Sequence, residues 1–185
     1  MFKLLMATSV AFLACAAAGS AQGAVTVFGG GLAQACSKAA IGGEDDVKFQ
    51  EVCTLALDTE AMAPRDRAGT YVNRGVLKLR RTSYSDAARD FDEAVRLQPD
   101  MGEAYVNRGA ASIGQKRYAE SLPDINRALE LGVTEPEKAY FNRALAYEGL
   151  DDAKSAYFDY QKAVEMAPAW PAPREQLTRS SVSTR

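Results

Sequence analysis

The sequence contains no histidine, and this absence restricts its chemistry more than any other feature. Histidine is the commonest general base, the usual partner of a nucleophilic serine or cysteine, and a frequent zinc ligand. Positive charge is not in excess either, because 22 lysines and arginines stand against 24 acidic residues. No nucleic-acid partner is therefore expected, since phosphate backbones are held by clustered positive charge. The composition predicts a protein that is not an enzyme and has no small-molecule cofactor and no metal site.

Long apolar runs are also missing, apart from one at the amino terminus. Residues 4–18 are almost all small or apolar, and this run is too short to span a bilayer comfortably. We predict a signal peptide over residues 1–21, with cleavage after Gly23 as a second choice. The alternatives are lipidation at Cys15, which would bring membrane contact, and a retained anchor. Each version predicts export to the periplasm or the cell exterior.

Cysteine is scarce, and only Cys36 and Cys53 remain once the signal peptide is excluded. Both fall on predicted neighbouring helices. In an oxidising compartment two such cysteines favour a disulfide, which would stabilise the fold by roughly 3 kcal/mol. The alternative is a pair of small buried thiols.

What the sequence does contain is a repeat. The segment Tyr71-Val72-Asn73-Arg74-Gly75 recurs in closely similar form at 105–109 and again at 140–144, with offsets of 34 and 35 residues. The full units are 68–101, 102–135 and 137–170. In each unit an aromatic residue, a small residue and later alanines occupy matching positions. This pattern resembles the tetratricopeptide repeat, in which each unit of about 34 residues folds as two antiparallel helices.

The resemblance implies an all-α, right-handed superhelix. Small residues at Gly75, Gly109 and Ala144 would let each first helix approach the second helix of its unit. Predicted helices cover 66–80, 84–97, 102–115, 117–131, 135–149 and 152–166. Around them we expect a flexible segment at 22–30, an amino-terminal capping helix pair at 31–65, the repeats within 66–170, and a short helix with a frayed tail at 171–185.

Two local features qualify this pattern. Pro123 lies too deep in its predicted helix to be a first-turn proline, so a kink or a late helix start is expected. The segment Thr134-Glu135-Pro136-Glu137 predicts a capping box with proline in the first turn of the next helix.

Two ladders of polar residues follow the repeat. Arg74, Arg108 and Arg143 each precede an aspartate by sixteen residues, in a spacing that predicts structural ion pairs rather than ligand contacts. The second ladder consists of Asn73, Asn107 and Asn142. The resemblance implies that these asparagines lie on the concave side of the first helices, where amides can pair with an extended peptide backbone.

The residues flanking the asparagines predict a fairly apolar groove. They are Val72, Val106, Phe141, Val76, Ala110 and Leu145. Some members of the family grip a terminal carboxylate with a clamp of lysine, asparagine and arginine side chains. Asn107 and Lys138 match that clamp, but Val72, Val76 and Asn142 occupy its other places, so this specificity is not expected.

The sequence therefore predicts a module that binds a protein or peptide segment in a concave groove. The alternative is a structural subunit of an envelope complex that acts through its convex face or its ends. The partner and the oligomeric state are left open by the sequence.

Overall fold

The computed structural model describes residues 23–27 and 31–183, with side chains up to Arg179. The predicted signal peptide and Cys15 lie outside these residues. The described part contains nine α-helices and no strand: α1 (Leu32–Gly42), α2 (Val47–Thr59), α3 (Pro64–Arg80), α4 (Tyr84–Leu97), α5 (Gly102–Gly114), α6 (Tyr118–Leu131), α7 (Pro136–Gly149), α8 (Ala153–Met166) and α9 (Pro171–Ser183). None of these described helices combines the length and the apolar character that a membrane span requires.

The helices form a solenoid of stacked pairs. Helices α3 and α4, α5 and α6, and α7 and α8 pack as the three repeated pairs, each of which contacts the next. The first helices also contact one another, α3 with α5 and α5 with α7, whereas the second helices make at most marginal contact across units. The first helices therefore line the inner, concave side of the stack.

Glycine allows the close approach within a pair. A Cβ atom added at Gly75 would lie 2.4 Å from the ring of Phe91, and one added at Gly109 would lie 2.6 Å from Ile125. Phe91 and Ile125 are fully buried. The small residues at these positions are therefore required by packing, as the repeat pattern predicts.

At each of the two local features, one part of the prediction is not met. Helix α6 runs through Pro123 from Tyr118, so it does not start late. Both Pro123 and Ala119, whose carbonyl loses its usual backbone donor, are exposed, so water can reach that carbonyl. The capping box is absent, because Thr134 donates from its backbone N–H and its hydroxyl to Glu103 of the preceding unit. Pro136 does begin α7.

The amino-terminal end is closed by α1 and α2, which a disulfide joins. Cys36 and Cys53 are bonded, fully buried and 4.9 Å apart at their Cα atoms, which confirms the predicted pairing. The carboxylate of Glu60 accepts hydrogen bonds from the backbone N–H groups of Leu32 and Ala33, at 2.6 and 3.0 Å. A carboxylate from the end of α2 thus caps the start of α1.

The other end is closed by α9, which extends to Ser183 and is longer than the predicted short helix. Trp170 precedes it and packs on Phe141, with ring centroids 4.8 Å apart. Ala172 and Leu177 of α9 join the same apolar cluster. The last unit therefore does not expose its apolar face to water.

Candidate functional site

In each of the three units, one arginine holds the first helix to the second helix of that unit. Arg74 donates to both oxygens of Asp90 at 3.0 and 2.7 Å, and Arg108 and Arg143 bind Asp124 and Asp159 in the same two-pronged manner. Hydrogen bonds to the aspartates raise the pKa of Arg108 and Arg143, although burial lowers it. The predicted pairing is thus confirmed, and these arginines are occupied by structural contacts.

The remaining guanidinium nitrogen of each arginine donates a hydrogen bond to a side chain of the preceding helix pair. Its acceptor is Thr54 Oγ1 for Arg74, Asp92 Oδ1 for Arg108, and Asn126 Oδ1 for Arg143, at 2.9, 2.9 and 2.7 Å. Each guanidinium also lies over the tyrosine three residues earlier, 5.3 to 5.5 Å from the ring centroid. One side chain per unit therefore fixes both the helix pair and the stacking of consecutive pairs.

The three asparagines of the second ladder are buried on the first helices, with exposed fractions of 0%, 0% and 4% for Asn73, Asn107 and Asn142. Burial of an amide requires hydrogen-bond partners, because an unpaired polar group away from water is costly. For Asn73 the partner is a backbone segment of the same chain.

Residues 23–27 lie extended against the inner side of the solenoid. The Asn73 amide makes both of its hydrogen bonds to one residue of this segment: Val25 N–H donates to Oδ1 at 2.8 Å, and Nδ2 donates to the Val25 carbonyl at 2.8 Å. This is the pairing by which one strand residue recognises another, reproduced by a side chain. These residues belong to the segment at 22–30 whose flexibility remains a prediction, and the two bonds join Val25 to α3.

Two further residues, which the sequence reading did not single out, shape the site for this segment. Ser37 of α1 donates from Oγ to the Val25 carbonyl at 2.9 Å and accepts from Val27 N–H at 3.3 Å. Gly69 leaves the space that the valines fill, since a Cβ there would lie 3.1 Å from Val25 and 3.2 Å from Val27. Neither a lone serine nor a glycine outside the repeated columns carries a distinct sequence signal.

Asn107 continues the pattern one unit further along, but less completely. Its Nδ2 donates to Glu103 O of its own helix at 2.8 Å and more weakly to Gly23 O at 3.4 Å. Its Oδ1 is buried and has no hydrogen-bond partner within the described residues. Asn73 thus pairs with Val25, and Asn107 contacts Gly23, two residues earlier in the segment.

Most residues of the predicted apolar lining are buried, whereas residues that contact a ligand would be exposed in the groove. Val72 and Val76 are buried in the core between α3, α4 and α5, and Val106 and Phe141 are also buried. Ala110 and Leu145 are partly exposed, and Lys138, also partly exposed, pairs with Glu135. Ligand contact by these residues remains a prediction.

An open cavity of about 700 Å³ lies beside the segment. Its walls come from residues 23–26, from 100–103 at the start of α5, from 131–135 between α6 and α7, and from Arg65. The inner side thus has unfilled volume next to the bound backbone. Within the described ranges, no group of acidic and cysteine side chains is arranged to hold a metal ion.

Comparison with known proteins agrees with this architecture. Residues 137–169 match the family model described as tetratricopeptide repeat. A search of curated proteins finds no match. Among solved structures, the Arabidopsis OM64 TPR domain is 21% identical with a TM-score of 0.60, and the match covers 64% of this chain and 97% of that one.

Two further similar structures carry the name MamA. The MamA RS-1 ArsTM double mutant is 20% identical with a TM-score of 0.65 and 83% coverage of both chains. A crystal structure of MamA is 19% identical with a TM-score of 0.64, covering 80% of this chain and 84% of that one. At these identities the likeness establishes the fold.

The fold and the inner face define a helical-repeat solenoid. The third unit matches the tetratricopeptide-repeat family model, and the stacked helix pairs have the same fold as solved tetratricopeptide domains.

Proposed function

We propose that the protein binds an extended segment of a partner protein in its concave groove, through the amides of Asn73, Asn107 and Asn142. Tetratricopeptide domains are protein-binding modules, and the groove is the part of this one that is equipped to hold a backbone. The observation that carries the proposal is the double hydrogen bond between Asn73 and Val25. In this contact the amide pairs with the backbone N–H and carbonyl of one residue, groups that every residue except proline possesses, and this supports binding of a partner backbone in the same way.

The unpaired Oδ1 of Asn107 supports the same function. A buried acceptor without a partner costs about 1–3 kcal/mol, and a ligand that supplies an N–H at this point would recover that cost. A partner segment that pairs with both Asn73 and Asn107 would therefore bind better than one that pairs with Asn73 alone.

We also propose that the protein acts in the cell envelope or outside the cell. The apolar amino-terminal run and the disulfide between Cys36 and Cys53 support this location, because disulfides persist in oxidising compartments.

A second candidate function is assembly through the convex face. Tyr157 and Phe158 on α8 are exposed, at 44% and 57%, and their rings contact each other edge to face. Leu150, which precedes α8, and Met166, its last residue, are also exposed. Exposed aromatic pairs of this kind are common at protein interfaces.

A site-specific photocrosslinking experiment separates the two candidates. A photoreactive phenylalanine derivative replaces Ala110, one helical turn beyond Asn107, in one variant and Phe158 in the other. Groove binding predicts that the Ala110 variant captures a partner segment in the envelope fraction and that sequencing of the crosslink maps it to one short stretch. Capture by the Phe158 variant alone would favour the convex face and contradict the groove.

A further inference from the structure

Residues 23–27 indicate both which kind of segment fits the groove and how partner binding is controlled. Its hydrogen bonds to Asn73 and Ser37 use backbone atoms of Val25 and Val27. Its side chains divide by exposure: Val27 is buried, Val25 is half-buried against Gly69, and Thr26 between them is exposed. The groove thus accepts apolar side chains at alternate positions and leaves the intervening one in water.

The side chains of the two valines meet an apolar surface. Val25 packs on the core between α3, α4 and α5, and Val27 packs with Ala33 and Ala56 of the capping pair. A charged side chain at either place would lose water without gaining a partner. Segments with β-branched apolar residues two positions apart fit this surface, because such residues also favour the extended conformation.

The segment has a defined direction in the groove. Gly23 lies at Asn107 of the second unit, Val25 at Asn73 of the first, and Val27 at Ser37 of the capping pair. The chain therefore runs opposite to the order of the repeats. The incomplete pairing at Asn107 indicates that this segment is held firmly at the first unit and only partly at the second.

We propose that residues 23–27 are an intramolecular ligand of the groove, and that a partner binds by displacing them with an uncharged extended segment of the same pattern. The inference rests on the proposed function of the groove. A tethered segment competes at a high effective concentration, because its short connection to α1 keeps it near the site. The apparent affinity for a partner is reduced by the fraction of molecules in which the segment is bound.

The test uses the protein beginning at Gln22, as expected after signal-peptide removal, and a five-residue peptide, acetyl-Gly-Ala-Val-Thr-Val-amide, with a fluorescent label. Val25→Asp places a charge where the segment meets Gly69 and should release it. Thr26→Asp adds the same charge at the exposed neighbouring position and is the matched control. By fluorescence anisotropy, the peptide should bind V25D at least about tenfold more tightly than it binds the wild type or T26D.

Two further arms establish where the peptide binds. Adding Asn73→Ala to V25D should weaken binding at least about tenfold, because the amide that pairs with the backbone is gone. A peptide methylated on the nitrogen of its valine at position three keeps the side chain and loses the donor, so it should bind comparably poorly. Circular dichroism should report the same helix content in V25D and T26D.

The outcomes that overturn the proposal are distinct. Equal peptide affinity for the wild type and V25D would mean that the segment does not compete, and absence of binding to folded V25D would mean that the groove does not accept this peptide class. Should the photoreactive Ala110 variant capture its partner equally with and without V25D, the groove would bind a partner while this inference fails. If residues 23–27 instead held the protein in concentration-dependent dimers, the segment would be a ligand of a second copy and not of its own chain, and the proposal would be wrong.

Discussion

Replacing Gly75 by alanine tests the close packing on which the repeat depends. In isolation this substitution should favour α3, because alanine has a higher helix propensity than glycine by about 1 kcal/mol. In the folded protein, however, the new Cβ would lie 2.4, 2.7 and 3.0 Å from three atoms of the Phe91 ring. Carbon atoms in contact are separated by about 3.5–4.0 Å, so the ring would have to move by about 1 Å.

The size of the effect follows from the surroundings of the ring. Phe91 is fully buried with Ala87, Ala94 and Ala104, so it has no solvent-facing side into which it can move. Overpacking in such a site costs about 1–3 kcal/mol. After the gain in helix propensity is subtracted, the free energy of unfolding should fall by about 0–2 kcal/mol.

The matched control is Gly42→Ala near the end of α1, where an added Cβ would meet no atom within 4 Å. That variant should be as stable as the wild type or slightly more stable. Urea unfolding followed by circular dichroism measures both. The double variant Gly75→Ala/Phe91→Ala should show a favourable coupling of about 1–3 kcal/mol, since the methyl group then has room. A Gly75→Ala variant more stable than Gly42→Ala, or no coupling with Phe91, would refute the packing argument.

Four further predictions concern the stacking, the disulfide, one buried tyrosine and the amino terminus. Arg108→Lys should lower the free energy of unfolding by about 1–2 kcal/mol because the two-pronged bond to Asp124 is lost, while Arg127→Lys in an exposed pair should have little effect; equal losses would contradict the structural role. Reduction of the Cys36–Cys53 disulfide should cost roughly 3 kcal/mol and lower the melting temperature, whereas an unchanged melting temperature under reductant would count against it. Burial and a hydrogen bond to Glu148 raise the pKa of Tyr160, so the native state keeps a proton that the unfolded chain releases near pH 10; stability should fall above about pH 10, and this fall should be smaller in Tyr160→Phe. Mass spectrometry of protein from the native host should find the mature chain beginning near Gln22 or Ala24, and an intact Met1 on soluble cytoplasmic protein would refute export.

The helices and the ion pairs could be predicted from sequence because both follow the repeat. Each helix lies within a few residues of its predicted position, since small residues and helix ends recur in register. The pairing of Arg74 with Asp90 could be predicted because the same sixteen-residue spacing occurs in three units. Repeated patterns of this kind can be recognised within a single sequence.

The contacts that could not be predicted lack such a signal. The arginines also donate to side chains of the preceding helix pairs, namely Thr54, Asp92 and Asn126. Because these acceptors are three different residue types, no repeated position in the sequence identifies them. Docking of residues 23–27 depends on backbone groups and on the space above Gly69, neither of which has a sequence pattern. The capping box at Thr134 was wrong because Glu103, distant in sequence, accepts its hydrogen bonds.

The central claim is that side-chain amides of the groove bind an extended backbone of a partner. The most direct measurement is the affinity of the crosslinked partner segment, by isothermal titration calorimetry, for the wild type and for the triple variant Asn73→Ala/Asn107→Ala/Asn142→Ala. Loss of several hydrogen bonds should weaken binding more than about tenfold, while circular dichroism reports an unchanged helical fold. Unchanged affinity in a folded triple variant would contradict the claim.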